Sequence, residues 1–168
     1  MAPEEFYFND DGTIPNSRLP VLIYRDAFVD KLDEGAAWLE KKFAANNWTN
    51  SWRNGIYPYH HYHSTTHEVL GVYAGSAILK LGGEEGVNVS VIAGDVLVIP
   101  VGVGHKCIEN DHVGIVGAYP DGRDWDVCKG EPDERPAADE RIAALTVPLT
   151  DPLWGTTAGV PILWRLDK

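Results

Sequence analysis

The sequence predicts an all-β protein, a sandwich or barrel, with one helix outside the sheet. Between residues 48 and 119, short runs of Val, Ile, Leu and Tyr alternate with glycine-rich turns. Several short strands at a spacing of roughly 8–12 residues are typical of sandwiches and barrels. A single stretch of helical periodicity precedes this region. At 168 residues the chain has the length of one domain, and the sequence contains no internal repeat.

Residues 1–50 are predicted to form an N-terminal arm followed by the helix. Prolines interrupt residues 1–25, and the run LPVLIYR at 19–25 is predicted to be a strand. Asp26 is the expected N-cap of the helix, and the pair Asn46-Asn47 is its expected end. Between them, apolar residues recur at spacings of four or seven, as on one helix face: Phe28, Leu32, Leu39 and Phe43. This face is expected to pack on the outside of the sheet.

Residues 51–120 are predicted to form the β core. Its strands are expected at 76–81, 87–92, 95–100 and 113–119. The sequence GGEEG at 82–86 suits a hairpin loop, and residues 93–95 suit a tight turn.

Residues 121–168 form a proline-rich tail, in which a short helix is expected across 137–145. Trp125, Trp154 and Trp164 would be unfavourable if they were left in water. We therefore expect the tail to pack back over the barrel within a single domain.

Composition excludes several classes of function. The chain has 25 Asp and Glu against 14 Lys and Arg, a net charge of −11, which disfavours binding to nucleic acid or to an anionic membrane. The N-terminus lacks the basic start and apolar segment of a signal peptide, and no run is long enough to span a membrane. Two cysteines are too few for a disulfide framework. The sequence thus predicts a soluble cytoplasmic protein.

The histidines carry the strongest chemical signal. His61 and His63 are two residues apart, so on a strand both imidazoles point to the same face. His105 follows a later strand and a proline-containing turn, and Glu68 adds an anionic oxygen. Imidazole and carboxylate are common ligands of first-row metals, and a site with these four ligands leaves coordination positions free.

The spacing of these residues resembles the two motifs of the cupin superfamily. The first motif, G-x5-HxH-x3,4-E-x6-G, is met at every position, from Gly55 to Gly75. The second, G-x5-P-x-G-x2-H-x3-N, is met except at its end, where Glu109 takes the place of Asn and Asn110 follows. The segments SWRNGIYPYHHYHSTTHEVLG and DGRDWDVCKG are similar to those of the small group of YjlB-like cupins.

The resemblance implies a cupin, a double-stranded β-helix or jelly-roll barrel, with the N-terminal helix packed outside it. It implies one divalent transition metal (Fe, Mn, Ni, Zn or Cu) held by His61, His63, Glu68 and His105. Some cupins use four histidines, and His67 fits that variant. Adjacent residues of a strand face opposite sides, so His67 and Glu68 cannot both reach one interior metal, and the register favours Glu68.

Four further residues are candidates for a substrate pocket, each with a structural alternative. Tyr57 and Tyr59 lie an even number of residues from His61, so on a strand they would point into the same cavity. They would equally suit the core of the barrel as buried aromatic residues. Cys107 lies two residues after His105 and would also suit the core as a small hydrophobic residue. Arg53 could meet a substrate carboxylate or pair with an acidic side chain on the surface. No catalytic residue beyond the ligands is assigned.

Two functions are compatible with such a site. The first is an enzyme acting on an oxygen-rich small molecule chelated by the metal, either a dioxygenase or an isomerase, cyclase or lyase. The second is a non-catalytic barrel that binds a small molecule or a structural metal, because a fold alone does not imply catalysis. A metal that opens onto a cavity would favour the enzyme, and a closed four-ligand site the alternative. A homodimer is compatible with the composition, although the sequence does not indicate the surface it would use.

Overall fold

The computed structural model describes residues 2–167. Within this range the chain forms one seven-stranded antiparallel sheet and three α-helices. The strands are β1 (Glu4–Phe8), β2 (Ser17–Tyr24), β3 (Trp48–Asn54), β4 (Glu68–Leu81), β5 (Val87–Ile92), β6 (Val96–Ile99) and β7 (His105–Pro120). The helices are α1 (Leu32–Ala45), α2 (Ala137–Ala144) and α3 (Val160–Leu163), with a short 3-10 helix at Pro132–Glu134.

The long strand β4 organises the sheet. Its first half pairs with β6 and β7, and its second half pairs with β5 and β7. The strand order is β1-β2-β6-β4-β7-β3, with β5 beside β4. Every pairing is antiparallel, and the predicted all-β jelly-roll is confirmed.

Alternating residues of the same strands supply two hydrophobic clusters. In β4, Leu70 and Val72 belong to the cluster inside the curled sheet, whereas Val69 belongs to the cluster on the outer face. Strand β6 alternates in the same way. Because successive strand side chains point to opposite faces, both faces of the sheet are buried. The even-numbered positions at the start of β4 therefore face the barrel interior.

Helix α1 covers the outer face of the sheet, as predicted. Leu39 and Phe43 are fully buried in the outer cluster. The helix approaches β4 closely, since a Cβ added at Gly71 would lie 2.7 Å from Leu39 Cδ1. Gly71 thus permits the close packing between helix and sheet that a larger residue would prevent.

The predicted start of α1 is wrong. The helix begins at Leu32, and Asp26 instead adopts a positive φ of 48° in a turn. The backbone N–H of Asp26 donates a hydrogen bond to Asp95 Oδ1 (3.1 Å), which ties this turn to the loop between β5 and β6. That tertiary contact holds residues 26–30 outside the helix, although Phe28 still packs in the outer cluster. The predicted end is confirmed, with Asn46 as the C-cap.

Most predicted strands exist, but several limits differ. The hairpin strand at 87–92 is confirmed, and the runs 76–81 and 113–119 are the ends of the much longer β4 and β7. Strands β1 and β3 were not predicted, because neither has an alternating pattern of apolar and polar residues; in the structure they pair with β2 and β7. Gly75 bends the middle of β4 with a φ of 65°, where an added Cβ would lie 2.3 Å from His112 O.

The tail contributes to the outer face. Trp164 is 2% exposed in the outer cluster, and its indole Nε1 donates to Pro20 O (2.8 Å). Trp125 and Trp154, however, are each 41% exposed, so the expectation that all three tryptophans of the tail are covered holds for Trp164 alone. Among residues 2–167, no helix is both long and apolar enough to cross a membrane.

Candidate metal centre

Three imidazoles meet at one end of the barrel interior. One ring nitrogen from each of His61, His63 and His105 lies within 4.8 Å of the others, and all three side chains are buried. The backbone of His61 bridges that of His105 in both directions, with N···O distances of 3.2 and 2.9 Å. Residues that are far apart along the chain are thereby held side by side.

The expectation that His61 and His63 lie on a regular strand is wrong. They lie in an irregular segment with isolated bridges at His61 and Tyr62, the latter to Cys128. The segment is nevertheless extended, so its side chains alternate. Tyr62 packs with Cys128 on one side, while His61 and His63 face the cluster on the other. The predicted two-residue periodicity therefore holds without a ladder of strand hydrogen bonds.

Backbone carbonyl groups select the tautomer of all three histidines. Nδ1 of His61 donates to Tyr59 O (3.2 Å), Nδ1 of His105 donates to Val103 O (3.0 Å), and Nδ1 of His63 donates to the carbonyl of Asp126. A carbonyl oxygen only accepts, so Nδ1 must carry the proton. In a neutral imidazole, Nε2 then presents its lone pair.

Glu68 completes the cluster from the first position of β4. Its Oε1 lies 3.3 Å from Nε2 of His63 and 3.3 Å from Nε2 of His105. Its other oxygen, Oε2, accepts a hydrogen bond from the hydroxyl of Tyr119 (2.9 Å), and that hydroxyl accepts one from Trp52 Nε1 (2.7 Å). The chain of bonds orients the carboxylate so that Oε1 faces the imidazoles.

The electrostatics of the cluster favour a charged Glu68. Burial raises the pKa of Glu68, but the adjacent His63 and His105 outweigh it and hold that pKa below its usual range. Burial lowers the pKa of His63, yet the charge of Glu68 outweighs this and the pKa of His63 is raised. Burial, helped by His105 and His63, lowers the pKa of His61 to about 2. The centre thus combines a buried negative charge with at least one neutral imidazole.

These groups fit a cation. Nε2 of His63 and Nε2 of His105 are buried and have no hydrogen-bond partner among the described residues. Both lone pairs face the same carboxylate oxygen, an arrangement of acceptors that is unfavourable unless a proton or a metal ion lies between them. Imidazole nitrogen and carboxylate oxygen are a ligand set of first-row transition metals.

His67, the alternative ligand, points elsewhere. Its Nδ1 accepts from the backbone N–H of Val101 (2.9 Å), and its Nε2 donates to Thr146 O (3.1 Å). Its ring packs 4.9 Å from that of Trp164, on the outer face of the sheet. Burial lowers the pKa of His67 to about 4, which keeps it neutral. Neither ring nitrogen is free for a metal, and the opposite faces of neighbouring residues explain the separation from Glu68.

Of the four pocket candidates, Tyr57 lines the cavity, whereas Tyr59, Cys107 and Arg53 do not. Tyr57 lines the cavity above the centre, and its ring stacks on that of Tyr59 at 5.0 Å, while both rings contact His61 edge-on. Arg53 makes two hydrogen bonds to Glu40 of α1 (2.9 and 2.7 Å) on the outside of the barrel. Its carboxylate partner therefore comes from the chain itself, the structural alternative considered for it, and Arg53 does not line the cavity.

Cys107 is also excluded from the cavity wall. The thiol is buried in the interior cluster and donates to Glu109 O (3.2 Å). Burial raises its pKa, so the reactive thiolate is disfavoured. It is a small hydrophobic residue of the core, the structural alternative considered for it.

A cavity of about 310 Å³ opens above the centre. His61, His63, Glu68 and His105 lie in its wall, together with aromatic residues that sequence analysis did not assign to a site. Those residues are Trp52, Tyr119 and Trp125. Of these three, Tyr119 alone lies in a strand that the sequence predicted, at 113–119.

Removing the Tyr119 hydroxyl should weaken metal binding. In Tyr119→Phe, Oε2 of the fully buried Glu68 loses its donor, and losing such a partner of a metal ligand costs about 10–100-fold in metal affinity. The affinity is measured by competition with a chromogenic chelator. Tyr24→Phe is the matched control, because Tyr24 is also buried and donates to a carboxylate, Asp151 (2.7 Å), away from the centre. Equal affinities in the two variants would contradict this role.

Comparison with known proteins gives one extensive match. No protein-family model matches the chain. The uncharacterized protein YjlB of Bacillus subtilis (strain 168) is 38% identical over 163 residues, which cover 96% of each chain. An acireductone dioxygenase from Bacillus anthracis, solved with a cadmium ion in its active centre, is 16% identical with a TM-score of 0.40, over 59% of this chain and 76% of that chain. A variant of oxalate decarboxylase from Bacillus subtilis is 19% identical with a TM-score of 0.40, over 66% of this chain and 27% of that chain.

The two solved structures are too distant to support an inference about activity. The match to YjlB is different in kind, because it runs along almost the whole of both chains. It agrees with the resemblance predicted from the two motifs and their flanking segments. The chain belongs to the YjlB-like cupins.

Proposed function

We propose that this protein is a metal-dependent enzyme whose substrate is a small oxygen-bearing molecule that chelates the metal. The observation that carries the proposal is the position of the histidine cluster and Glu68 in the wall of an open cavity of about 310 Å³. A purely structural metal site is enclosed by its ligands, whereas a catalytic site keeps positions open to a substrate.

His61, His63, Glu68 and His105 would hold the metal. Bound there, a divalent transition metal would supply Lewis acidity, stabilising negative charge that develops on a chelated substrate. The residues around it have separate tasks. Carbonyl groups of Tyr59 and Val103 keep Nε2 of two histidines deprotonated and directed at the centre. Tyr119 orients Glu68 through a hydrogen bond to Oε2.

The cavity wall is apolar next to the candidate ligands. Leu70, Ile56 and Trp52 present apolar surface there. A substrate bound against this surface would displace water from the centre, which strengthens the electrostatic interactions within it. The wall therefore supports chemistry on a bound substrate over a purely structural metal, one form of the non-catalytic alternative.

Two reaction classes remain within the proposal, and the native metal together with activity assays separates them. Redox-active Fe, Mn, Ni or Cu is compatible with a dioxygenase, and Zn or Ni with an isomerase, cyclase or lyase. The test begins with elemental analysis of the purified protein. Oxygen consumption is then measured with β-dicarbonyl and catechol-like substrates, and isomerisation of sugars or hydroxyketones is followed in parallel.

We expect about one metal ion per chain and metal-dependent turnover in one of these assays. Turnover that disappears on chelation and returns on adding the metal would support the enzyme. A chain that binds metal with the cavity open but turns over none of these substrate classes would favour the non-catalytic binding protein. A chain without affinity for any of the five metals would contradict the proposal itself.

A further inference from the structure

Apart from the candidate metal ligands, the wall of the cavity is mainly aromatic, with some aliphatic surface. Six side chains form most of it: Trp52, Ile56, Tyr57, Leu70, Tyr119 and Trp125. The rings of Tyr119 and Trp125 are stacked, with their centroids 4.9 Å apart and an angle of 12° between their planes. Tyr57 and Trp125 are 45% and 41% exposed although they line the cavity. Large aromatic surfaces left open in this way mark sites where a ligand is bound.

The wall offers no cation to a highly charged ligand. Among the described residues that line the cavity there is neither Lys nor Arg. The nearest candidate from the sequence, Arg53, is bound to Glu40 outside the barrel. Lys129 lies over the ring of Tyr59, 4.8 Å from its centroid, and does not line the cavity. A ligand with several carboxylates or phosphates would therefore be buried without partners, which is unfavourable.

Several polar atoms of the wall are already engaged in hydrogen bonds within the protein. The hydroxyl of Tyr119 donates to Glu68 and accepts from Trp52 Nε1. The side-chain oxygen of Asn54 accepts from the backbone N–H of Gly55 (2.8 Å). A sugar or other polyol needs a hydrogen-bond partner for each hydroxyl it buries. Beyond the engaged atoms, the side chains of the wall offer three donors, on Asn54, Tyr57 and Trp125, so a ligand with many hydroxyl groups is a poor match.

The charge of the centre suits a ligand with one negative charge. Three neutral imidazoles and the carboxylate of Glu68 around a divalent cation leave a net charge of about +1 at the centre, since imidazole ligands are neutral and the carboxylate is anionic. A chelating group with one negative charge would neutralise it. A dianion would leave an uncompensated charge in a partly apolar cavity.

We propose that the substrate is a planar, largely apolar molecule, aromatic or conjugated, with a single monoanionic chelating group of two oxygens. The chelating group would face His61, His63 and His105, and the ring would lie against the aromatic wall that ends at Trp125. An apolar cavity of about 150 Å³ accommodates benzene. The cavity here, at about 310 Å³, has room for a substituted or bicyclic ring. This inference rests on the proposed metal site.

Hydroxamates test the inference because the same chelating group can carry a methyl, a phenyl or a charged substituent. The Zn(II)-loaded full-length protein is titrated calorimetrically with acetohydroxamate, benzohydroxamate and succinate monohydroxamate. Burying one phenyl ring is expected to strengthen binding by about tenfold or more, so benzohydroxamate should bind more tightly than acetohydroxamate by that factor. The carboxylate of succinate monohydroxamate adds a second negative charge and should weaken binding relative to benzohydroxamate by at least the same factor.

Trp125→Ala examines the wall independently of the metal. Trp125 contacts neither Glu68 nor a histidine ligand through any hydrogen bond or ring contact that the structure describes. The variant should lose most of the preference for benzohydroxamate over acetohydroxamate while binding the same amount of Zn(II). Trp154→Ala is the matched control, since Trp154 has the same 41% exposure and does not line the cavity. That control should keep the full preference.

The outcomes separate the two proposals. Absence of Zn(II) from the loaded protein would overturn the metal site itself. Zn(II) binding with equal affinities for acetohydroxamate and benzohydroxamate would overturn the aromatic substrate while leaving the metal site standing. Tighter binding of succinate monohydroxamate than of benzohydroxamate, or an unchanged preference in Trp125→Ala, would also overturn it.

Discussion

Substitution of His61 by alanine is expected to lower the affinity for a divalent transition metal by about a hundredfold or more. A four-ligand site in a protein contributes about 10–16 kcal/mol of apparent binding free energy, so one ligand accounts for a few kcal/mol. Most of the metal should therefore be lost during purification. Elemental analysis and chelator competition measure the content and the affinity.

The fold of His61→Ala should remain largely intact. The bridge between His61 and His105 is made by backbone atoms, which alanine retains. Far-ultraviolet circular dichroism and urea unfolding of the metal-free proteins check this point. His112→Ala is the matched control, because the side chain of His112 is 97% exposed and lies outside the cluster. Full metal occupancy in His61→Ala would show that the ligand assignment is wrong.

A second pair of variants distinguishes Glu68 from His67. His67→Gln should keep the metal, because both ring nitrogens of His67 are bound to the backbone of Val101 and Thr146. It should instead lose about 1–3 kcal/mol of stability, the cost of leaving buried backbone groups without partners. Glu68→Gln should lose the metal. The reverse pattern would assign the site to His67.

Loading the metal-free protein with metal should raise its melting temperature by about 10 °C. A ligand at about 1,000 times its Kd stabilises the native state by about 4 kcal/mol when it does not bind the unfolded chain. In proteins of about 150–250 residues each kcal/mol raises Tm by about 2–4 °C. The physical cause is that the metal gives a common partner to acceptor atoms that otherwise face one another. These atoms are Nε2 of His63, Nε2 of His105 and Oε1 of Glu68.

Differential scanning calorimetry with and without metal measures this shift. His61→Ala should show a much smaller shift at the same metal concentration, because the affinity is lower. Ca²⁺ or Mg²⁺ should have little effect, since these ions prefer all-oxygen sites. An unchanged Tm in the native protein at saturating Zn(II) and Ni(II) would contradict a metal centre in this cluster.

Much of the fold could be predicted because it is encoded in local periodicity. The alternation at 87–92 and the four- and seven-residue spacings ahead of Asn46 each indicate one kind of element, and the structure contains both. The start of α1 could not be read in this way. Asp26 looks like an N-cap, but its bond to Asp95, far along the chain, holds it in a turn. Local preference was overridden by a tertiary contact.

The same distinction between local patterns and tertiary contacts applies to the candidate site. Motif spacing, which can be read from the sequence, selected His61, His63, Glu68 and His105. The fold then brings these distant residues together. The rule that adjacent strand residues face opposite sides also predicted that Glu68 and His67 point in different directions. The positions of Arg53 and Cys107 outside the cavity could not be predicted from motif spacing, because they depend on tertiary contacts. Arg53 pairs with Glu40 of α1, and Cys107 packs in the interior cluster.

The sequence by itself determined the fold class, the family and the residues able to hold a cation. Only the tertiary structure decided what surrounds those residues. Tyr119 reaches Glu68 from β7, Trp52 reaches Tyr119 from β3, and the carbonyl of Asp126 returns from the tail to orient His63. Each of these contacts joins segments about fifty or more residues apart. Their geometry follows from how the sheet curls and where the tail packs, which is a property of the whole chain.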